Sequence, residues 1–228
     1  MDDRPITVAQ RSYEQHADTL AKMDARERFT HIFRNNLWGS DDSVSGQGSE
    51  LEQTRELRAR LPELLGRFGV RTLLDLPCGD FGWLSGVDLG VERYLGGDIV
   101  ADLVDRNTER YGQEGTREFR VLDLTADPLP RADLVLCRDC LVHLSFAEIG
   151  RAVENLKRSG SRYLLTTTFV ELTTNTDIPT GDWRPLNLCR EPFGFPEPLA
   201  VLLEGCTEED GAYADKALGL WEISDLPG

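Results

Sequence analysis

Three carboxylates close three consecutive apolar runs: Asp75 ends TLLD, Asp98 ends YLGGD, and Asp123 lies at the end of FRVLDL. After Asp75 the chain turns through Pro77, Cys78, Gly79 and Asp80, and a glycine in such a turn lets a ligand approach the main chain without meeting a side chain. An acidic residue about 20 positions after a turn of this kind accepts hydrogen bonds from ribose hydroxyls, which is the place of Asp98. Asp123, at the third tip, is suited to accept from an exocyclic base amine. The ligand that fits carries an amine or positive charge, a ribose and a base amine, and no phosphate for the carboxylates to repel. Further on, CRDCLVH holds Asp139 and His143 four residues apart. If a helix has begun there, they share one face and can act as a coupled pair. Asp139 is the first candidate for positioning a substrate or taking its proton, and His143, titrating near neutrality, is the second. His143 also fits a core histidine bonded to backbone.

These residues need a scaffold that brings strand ends together. Strands are expected at Thr72–Asp75, in VERYLGGD, in FRVLDL, over residues 133–137 and in RYLLTTTF, with helices in ADLVDRNTERYG and from the Asp139 region through Lys157, stopping near Gly160. Strands and helices alternating across short connections imply a doubly wound, parallel α/β sheet, whose ligands bind beyond the carboxyl ends of the strands. LAVLLEG and LGLWEIS are expected to close it as an antiparallel pair. Upstream, residues 8–31 carry apolar positions at helical spacing and read as one amphipathic entry helix. Ser49 and Glu52 read as a capping box opening a helix to Arg67. The Ser/Gly-rich loop between them is either a linker or a lid. Trp38 favours a lid, packing over a ligand with Gly46 and Gly48 as hinges.

Between RYLLTTTF and the closing pair lies a long, Pro-rich segment without a period. An ordered loop of this length usually has a task, here the wall of a substrate pocket. Trp183, Phe193 and Phe195 offer flat apolar surface, and Arg184 and Asn187 offer polar recognition. Alternatively the aromatics cover the sheet edge and Arg184 pairs with Asp182 or Glu191.

The chain has 228 residues and a net charge of −15, which disfavours a nucleic-acid partner because phosphate binding draws on Lys and Arg. Its apolar runs are strand-length, which speaks against a membrane span, and its polar beginning speaks against an export signal, so a cytoplasmic setting with reduced thiols is expected for the five cysteines. Cys137 and Cys140 have CxxC spacing, but no second Cys or His pair follows at zinc-site distance, so no metal site is expected.

With Asp75, Pro77, Gly79 and Phe81 standing at the four positions of its first motif, the chain resembles the class I methyltransferases that use S-adenosyl-L-methionine. Taken in order, SVSGQGS, DLPCGDF, GGDIV, CRDCLVHLS, LLTTTF and WRPLNL look like a bacterial subgroup of small, single-domain members. The resemblance implies a mostly parallel seven-stranded sheet with helices on both faces, a C-terminal antiparallel hairpin and an N-terminal helical cap. Residues 1–49 would be helix and lid, 50–228 the Rossmann-like part, and 170–198 a substrate-loop insertion. It implies that Asp98 holds the ribose, Ile99 packs on the adenine, and Asp123 and Leu124 read its edge. Asp75, Pro77, Cys78, Gly79, Asp80 and Arg138 would complete the cofactor site, with Trp38, Ser45 and Gly46 from the lid; Arg138 also fits a local salt bridge to Asp139. Asp139 and His143 would be catalytic, and Trp183, Arg184, Asn187 and Phe193 would contact the substrate. The implied reaction is methyl transfer to an oxygen or nitrogen of a small molecule, sugar or peptide. The alternatives are a nicotinamide-dependent oxidoreductase and a non-catalytic binding protein on the same scaffold.

Overall fold

The structure is a computed structural model and describes residues 4–227. Seven strands form one sheet: β1 (Thr72–Asp75), β2 (Arg93–Asp98), β3 (Arg117–Val121), β4 (Leu134–Cys137), β5 (Tyr163–Phe169), β6 (Ala200–Leu203) and β7 (Lys216–Glu222). Their order is β3-β2-β1-β4-β5-β7-β6. The first five run parallel, and β7 is antiparallel to both β5 and β6, as expected for the closing pair. The chain winds outward from β1 through β2 to β3 and then returns to place β4 on the other side of β1. This reversal opens a crevice above the carboxyl ends of β1 and β4.

Alternation along the strands divides the core into two layers. Leu74, Val135 and Leu164 pack on one face with Ile149, Ala152 and Leu156 of α5 (Phe146–Ser159). Leu73, Leu134, Leu136 and Leu165 pack on the other with Leu57, Leu61 and Leu65 of α3 (Arg55–Arg67) and Val104 of α4 (Ala101–Tyr111). Helices therefore cover both faces, which is why β4 and β5 are apolar or threonine throughout and fully buried. The threonines of β5 close their own hydrogen bonds: Thr166 Oγ1 donates to the Cys137 carbonyl at 2.7 Å, and Thr167 Oγ1 accepts from Asp139 N at 2.8 Å.

Three local expectations are corrected. The entry segment is two helices, α1 (Val8–Leu20) and α2 (Ala25–Arg34), because Asp24 and Glu27 form a capping box that starts a new helix. Ser49 and Glu52 do not open α3: Ser49 ends a 3-10 turn, Gln47–Ser49, and Glu52 binds Arg55 instead, at 2.8 Å. Asp139 and His143 do not share a helix face. Asp139 has φ +50°, His143 ends a 3-10 turn (Leu141–His143), and α5 starts only at Phe146. Among the described residues, no helix is long and apolar enough to cross a membrane.

Candidate functional site

The crevice over β1 and β4 is a cleft of about 1100 Å³, open mouth included, and the carboxyl ends of β1, β2 and β4 and the loop after β3 all line it. Asp75, Pro77, Cys78, Gly79, Asp80, Asp98, Ile99, Asp123, Leu124, Arg138, Asp139 and His143 all border it, joined from the N-terminal segment by Trp38 and Ser45. The N-terminal loop is held down by the turn itself. Ser45 Oγ accepts from Asp80 N at 2.9 Å, and Ser43 Oγ donates to Asp80 Oδ2 at 2.7 Å. Gly79 has φ +52°, and the Ser45 hydroxyl occupies the space a Cβ would need, so both backbone and neighbour require glycine. Phe81 anchors the turn in the core, its ring 4.9 Å from Tyr94, 5.2 Å from Tyr111 and 5.3 Å from Phe119.

Asp98 points its oxygens at the first turn and at its own strand end, accepting from Gly79 N at 3.2 Å and Val100 N at 2.9 Å. Burial raises its pKa to about 6 against those bonds. Asp75 accepts from the Tyr94 hydroxyl at 2.6 Å, and burial raises it to about 7, with the Asp98 charge adding to the shift. Asp123 Oδ1 accepts from the backbone and hydroxyl of Thr125 at 2.8 and 2.7 Å. Two contributors escaped the sequence analysis. Asn107 of α4, buried, donates to the Gly79 carbonyl at 2.7 Å and so braces the turn. Glu148 borders the cleft, and its Oε2 is buried without a hydrogen bond among the described residues, an acceptor that suits a ligand donor.

The raised carboxylates make a signed prediction. A folded-state pKa above the unfolded one means that the native protein holds the proton more tightly, so this contribution to stability is fully present below about pH 4 and fades as pH rises to about 7. Asp75→Asn keeps an acceptor for Tyr94 and removes the buried charge. Thermal denaturation of the ligand-free protein should give a higher Tm for this variant than for the parent at pH 7.5, with the gap shrinking at pH 5; a lower Tm at pH 7.5 would contradict the assignment.

Arg138 is consumed by protein partners. Its Nε and Nη2 bind Glu204 at 3.2 and 2.6 Å, Nη2 also donates to the Gly48 carbonyl at 2.7 Å, and Nη1 lies 3.3 Å from Asp139. Lys216 completes the network, 2.8 Å from Asp139, 3.7 Å from Glu204 and 3.9 Å from Glu208. Burial by itself would raise the Asp139 pKa, but Lys216 and Arg138 hold it well below the usual carboxylate range. His143 has the opposite character. Its Nδ1 donates to the Asp182 carbonyl at 2.8 Å, which leaves Nε2 as the acceptor, and burial lowers its pKa to about 4.

A second cavity, about 560 Å³, shares Trp38, Ser45, Asp139 and His143 with the cleft. Gly46 and Trp183 line this one. Arg184, Asn187 and Phe193 border neither cavity. The Arg184 guanidinium donates to the carbonyls of Leu141, Leu144 and Thr176, Asn187 Nδ2 donates to the Leu172 carbonyl at 2.8 Å, and Phe193 packs edge-on against Phe146. Nor does Arg184 pair with Asp182 or Glu191. The polar side chains of the Pro-rich segment thus fix its path by binding backbone. Phe195 packs edge-on against Trp221 within the core layer on the α5 face and lines neither cavity.

The chain matches no protein-family model, and no curated protein sequence matches it. It is similar in structure to human N-acetylserotonin methyltransferase in complex with SAM, with a TM-score of 0.56 and 14% identity over 92% of this chain and 66% of that one. N-methyltransferase NodS from Bradyrhizobium japonicum WM9 in complex with S-adenosyl-L-homocysteine is similar at a TM-score of 0.49 and 16% identity, over 64% of this chain and 74% of that one. The strand order, the antiparallel closing pair and the likeness to the human enzyme define a class I, Rossmann-like methyltransferase fold.

Proposed function

We propose that the chain is an S-adenosyl-L-methionine-dependent methyltransferase acting on an oxygen or nitrogen of a small molecule. The observation that carries this reading is the charge of the cleft. Asp80, Asp123 and Glu148 line it beside Asp98 and Asp75, whose protons are held up to about pH 6 and 7, and Asp139, which is paired with Lys216; Arg138, already bound to Glu204, is the one Lys or Arg among the lining residues. That environment suits an adenosyl sulfonium with its ammonium group and opposes the pyrophosphate of a dinucleotide. The residues present suit the group: Asp98 would hold the ribose, Asp123 and Leu124 would meet the adenine edge and Ile99 its face, and Asp75 with the Gly79 turn would meet the amino-acid end.

When bound, the cofactor supplies a methyl group on a positively charged sulfur. It would give that methyl to the acceptor atom, the S–C bonding pair remaining on sulfur. The acceptor's proton must then leave, and here the side chains divide the work. Asp139, neutralised by Lys216 and Arg138, is a poor base and serves to fix the charge network at the junction of the two cavities. His143 Nε2, held neutral with its lone pair available, is the better proton acceptor. Trp38, 5.3 Å from the His143 ring, covers the junction and limits water there.

The test is transfer of label from methyl-labelled S-adenosylmethionine to a panel of small hydroxyl and amine acceptors. Labelled product is expected, and His143→Ala should lower its rate by roughly 10²–10⁴-fold with unchanged affinity for S-adenosylhomocysteine. Bound cofactor without transfer to any acceptor would contradict the activity.

A further inference from the structure

We infer that the second cavity takes a small molecule that joins a flat aromatic ring to a protonated amine. The inference rests on the methyltransferase reading, since this cavity is where a methyl acceptor would meet the cofactor cleft. Its apolar wall is three rings set edge-on to one another: Phe169 and Trp183 at 6.0 Å and 89°, Phe169 and Tyr213 at 5.9 Å and 77°, Trp183 and Tyr213 at 5.1 Å and 80°. The three rings pack against one another as one continuous apolar wall, in which Phe169 and Tyr213 are buried and Trp183 is the more accessible, a flat surface that suits an aromatic ring and attracts a cation. Arg4 already lies 5.9 and 5.5 Å from the centroids of Phe169 and Tyr213; it does not line the cavity, and Asp215 binds it at 2.8 Å.

The charge at the polar end of the cavity points the same way. Asp139, Glu208 and Lys216 line it, so the carboxylates exceed the cations by one, and Glu204 and Arg138 behind them cancel. Among the carboxylates, Glu208 is the least satisfied. The hydrogen bond it receives from a side chain is from the Cys206 thiol at 3.7 Å, and Lys216, closer to Asp139 and Glu204, stands 3.9 Å away. An ammonium group on the substrate would stand closer to Glu208 than Lys216 does and bind it more strongly than the Cys206 thiol, while a carboxylate or phosphate there meets net negative charge.

Two probes of matched shape and opposite charge test this: 2-phenylethylamine and 3-phenylpropionate, titrated calorimetrically into the protein with and without saturating S-adenosylhomocysteine. The amine should bind at least tenfold more tightly than the acid. Glu208→Gln should remove most of that preference by weakening the amine alone, Glu208→Asp should restore part of it, and Trp183→Leu should weaken both probes. Equal or tighter binding of the acid, binding of neither probe, or an unchanged preference in Glu208→Gln would overturn the inference. If the amine preference stands but S-adenosylhomocysteine does not bind, the cofactor reading fails and the charge preference of the cavity survives it.

Discussion

Replacing Asp98 with alanine should weaken binding of S-adenosylhomocysteine by roughly 100-fold or more and leave the protein folded. A carboxylate accepting two ribose hydroxyls makes charge-assisted bonds of about 1.5–3 kcal/mol each, and every 1.4 kcal/mol is tenfold in affinity. The fold should survive because two opposing effects meet at this residue. Alanine leaves the N–H groups of Gly79 and Val100 without their acceptor, which destabilises, but it also removes a buried carboxylate whose pKa burial has raised to about 6. Asp98→Asn, which retains one acceptor oxygen, should fall between the parent and Asp98→Ala. Titration calorimetry with circular dichroism checks both halves of the statement. Unchanged affinity in Asp98→Ala would remove the ribose assignment, and loss of structure would mean that the residue is needed to build the turn.

The second large effect concerns stability. Glu204 is 1% exposed and holds Arg138 by two nitrogens, and Arg138 is itself 6% exposed. Glu204→Gln keeps one acceptor oxygen for Arg138 but removes the buried charge that balances it, and breaking a buried pair from one side costs about 3–5 kcal/mol. In a domain of this size that corresponds to a fall in Tm of roughly 10 °C. Replacing both partners by apolar residues, as in Arg138→Met with Glu204→Leu, should be less damaging than Glu204→Gln because no unpaired charge remains. Paired thermal melts decide it: a double variant as unstable as the sum of the singles would mean that the pair is not coupled in the way its geometry implies.

These two residues mark where the sequence is legible. Asp98 is, because it follows a glycine turn at a recognisable distance and closes an apolar run, so its place at a strand tip follows from local pattern. Asp75, Asp123 and the Gly79 turn are legible for the same reason, as is the alternation of strands and helices that fixes the parallel sheet. Glu204 and Lys216 are not. They face each other because β6 and β7 pair, with Leu203 opposite Ala217 and Glu204 N bonded to the Lys216 carbonyl at 3.0 Å, and nothing local in either strand announces that register. Their charges then change the meaning of Asp139, which reads in isolation as an available base. Arg184 and Asn187 are misleading for a related reason. Polar residues in an irregular loop look suited to a ligand, but an irregular buried path leaves backbone carbonyls without partners, and these side chains supply the missing donors. Of its two descriptions in the sequence, His143 fits the core histidine, with Nδ1 bonded to backbone; it borders both cavities, but burial lowers its pKa to about 4, away from the near-neutral value expected of it.

The central claim is that the acidic cleft over β1 and β4 holds a cationic, phosphate-free adenosyl cofactor. Titration calorimetry at pH 7.5 with S-adenosylmethionine, S-adenosylhomocysteine and NAD⁺ tests it most directly. Saturable one-to-one binding of both sulfur ligands is expected, and none of NAD⁺. Binding of NAD⁺ with no response to either sulfur ligand would contradict it.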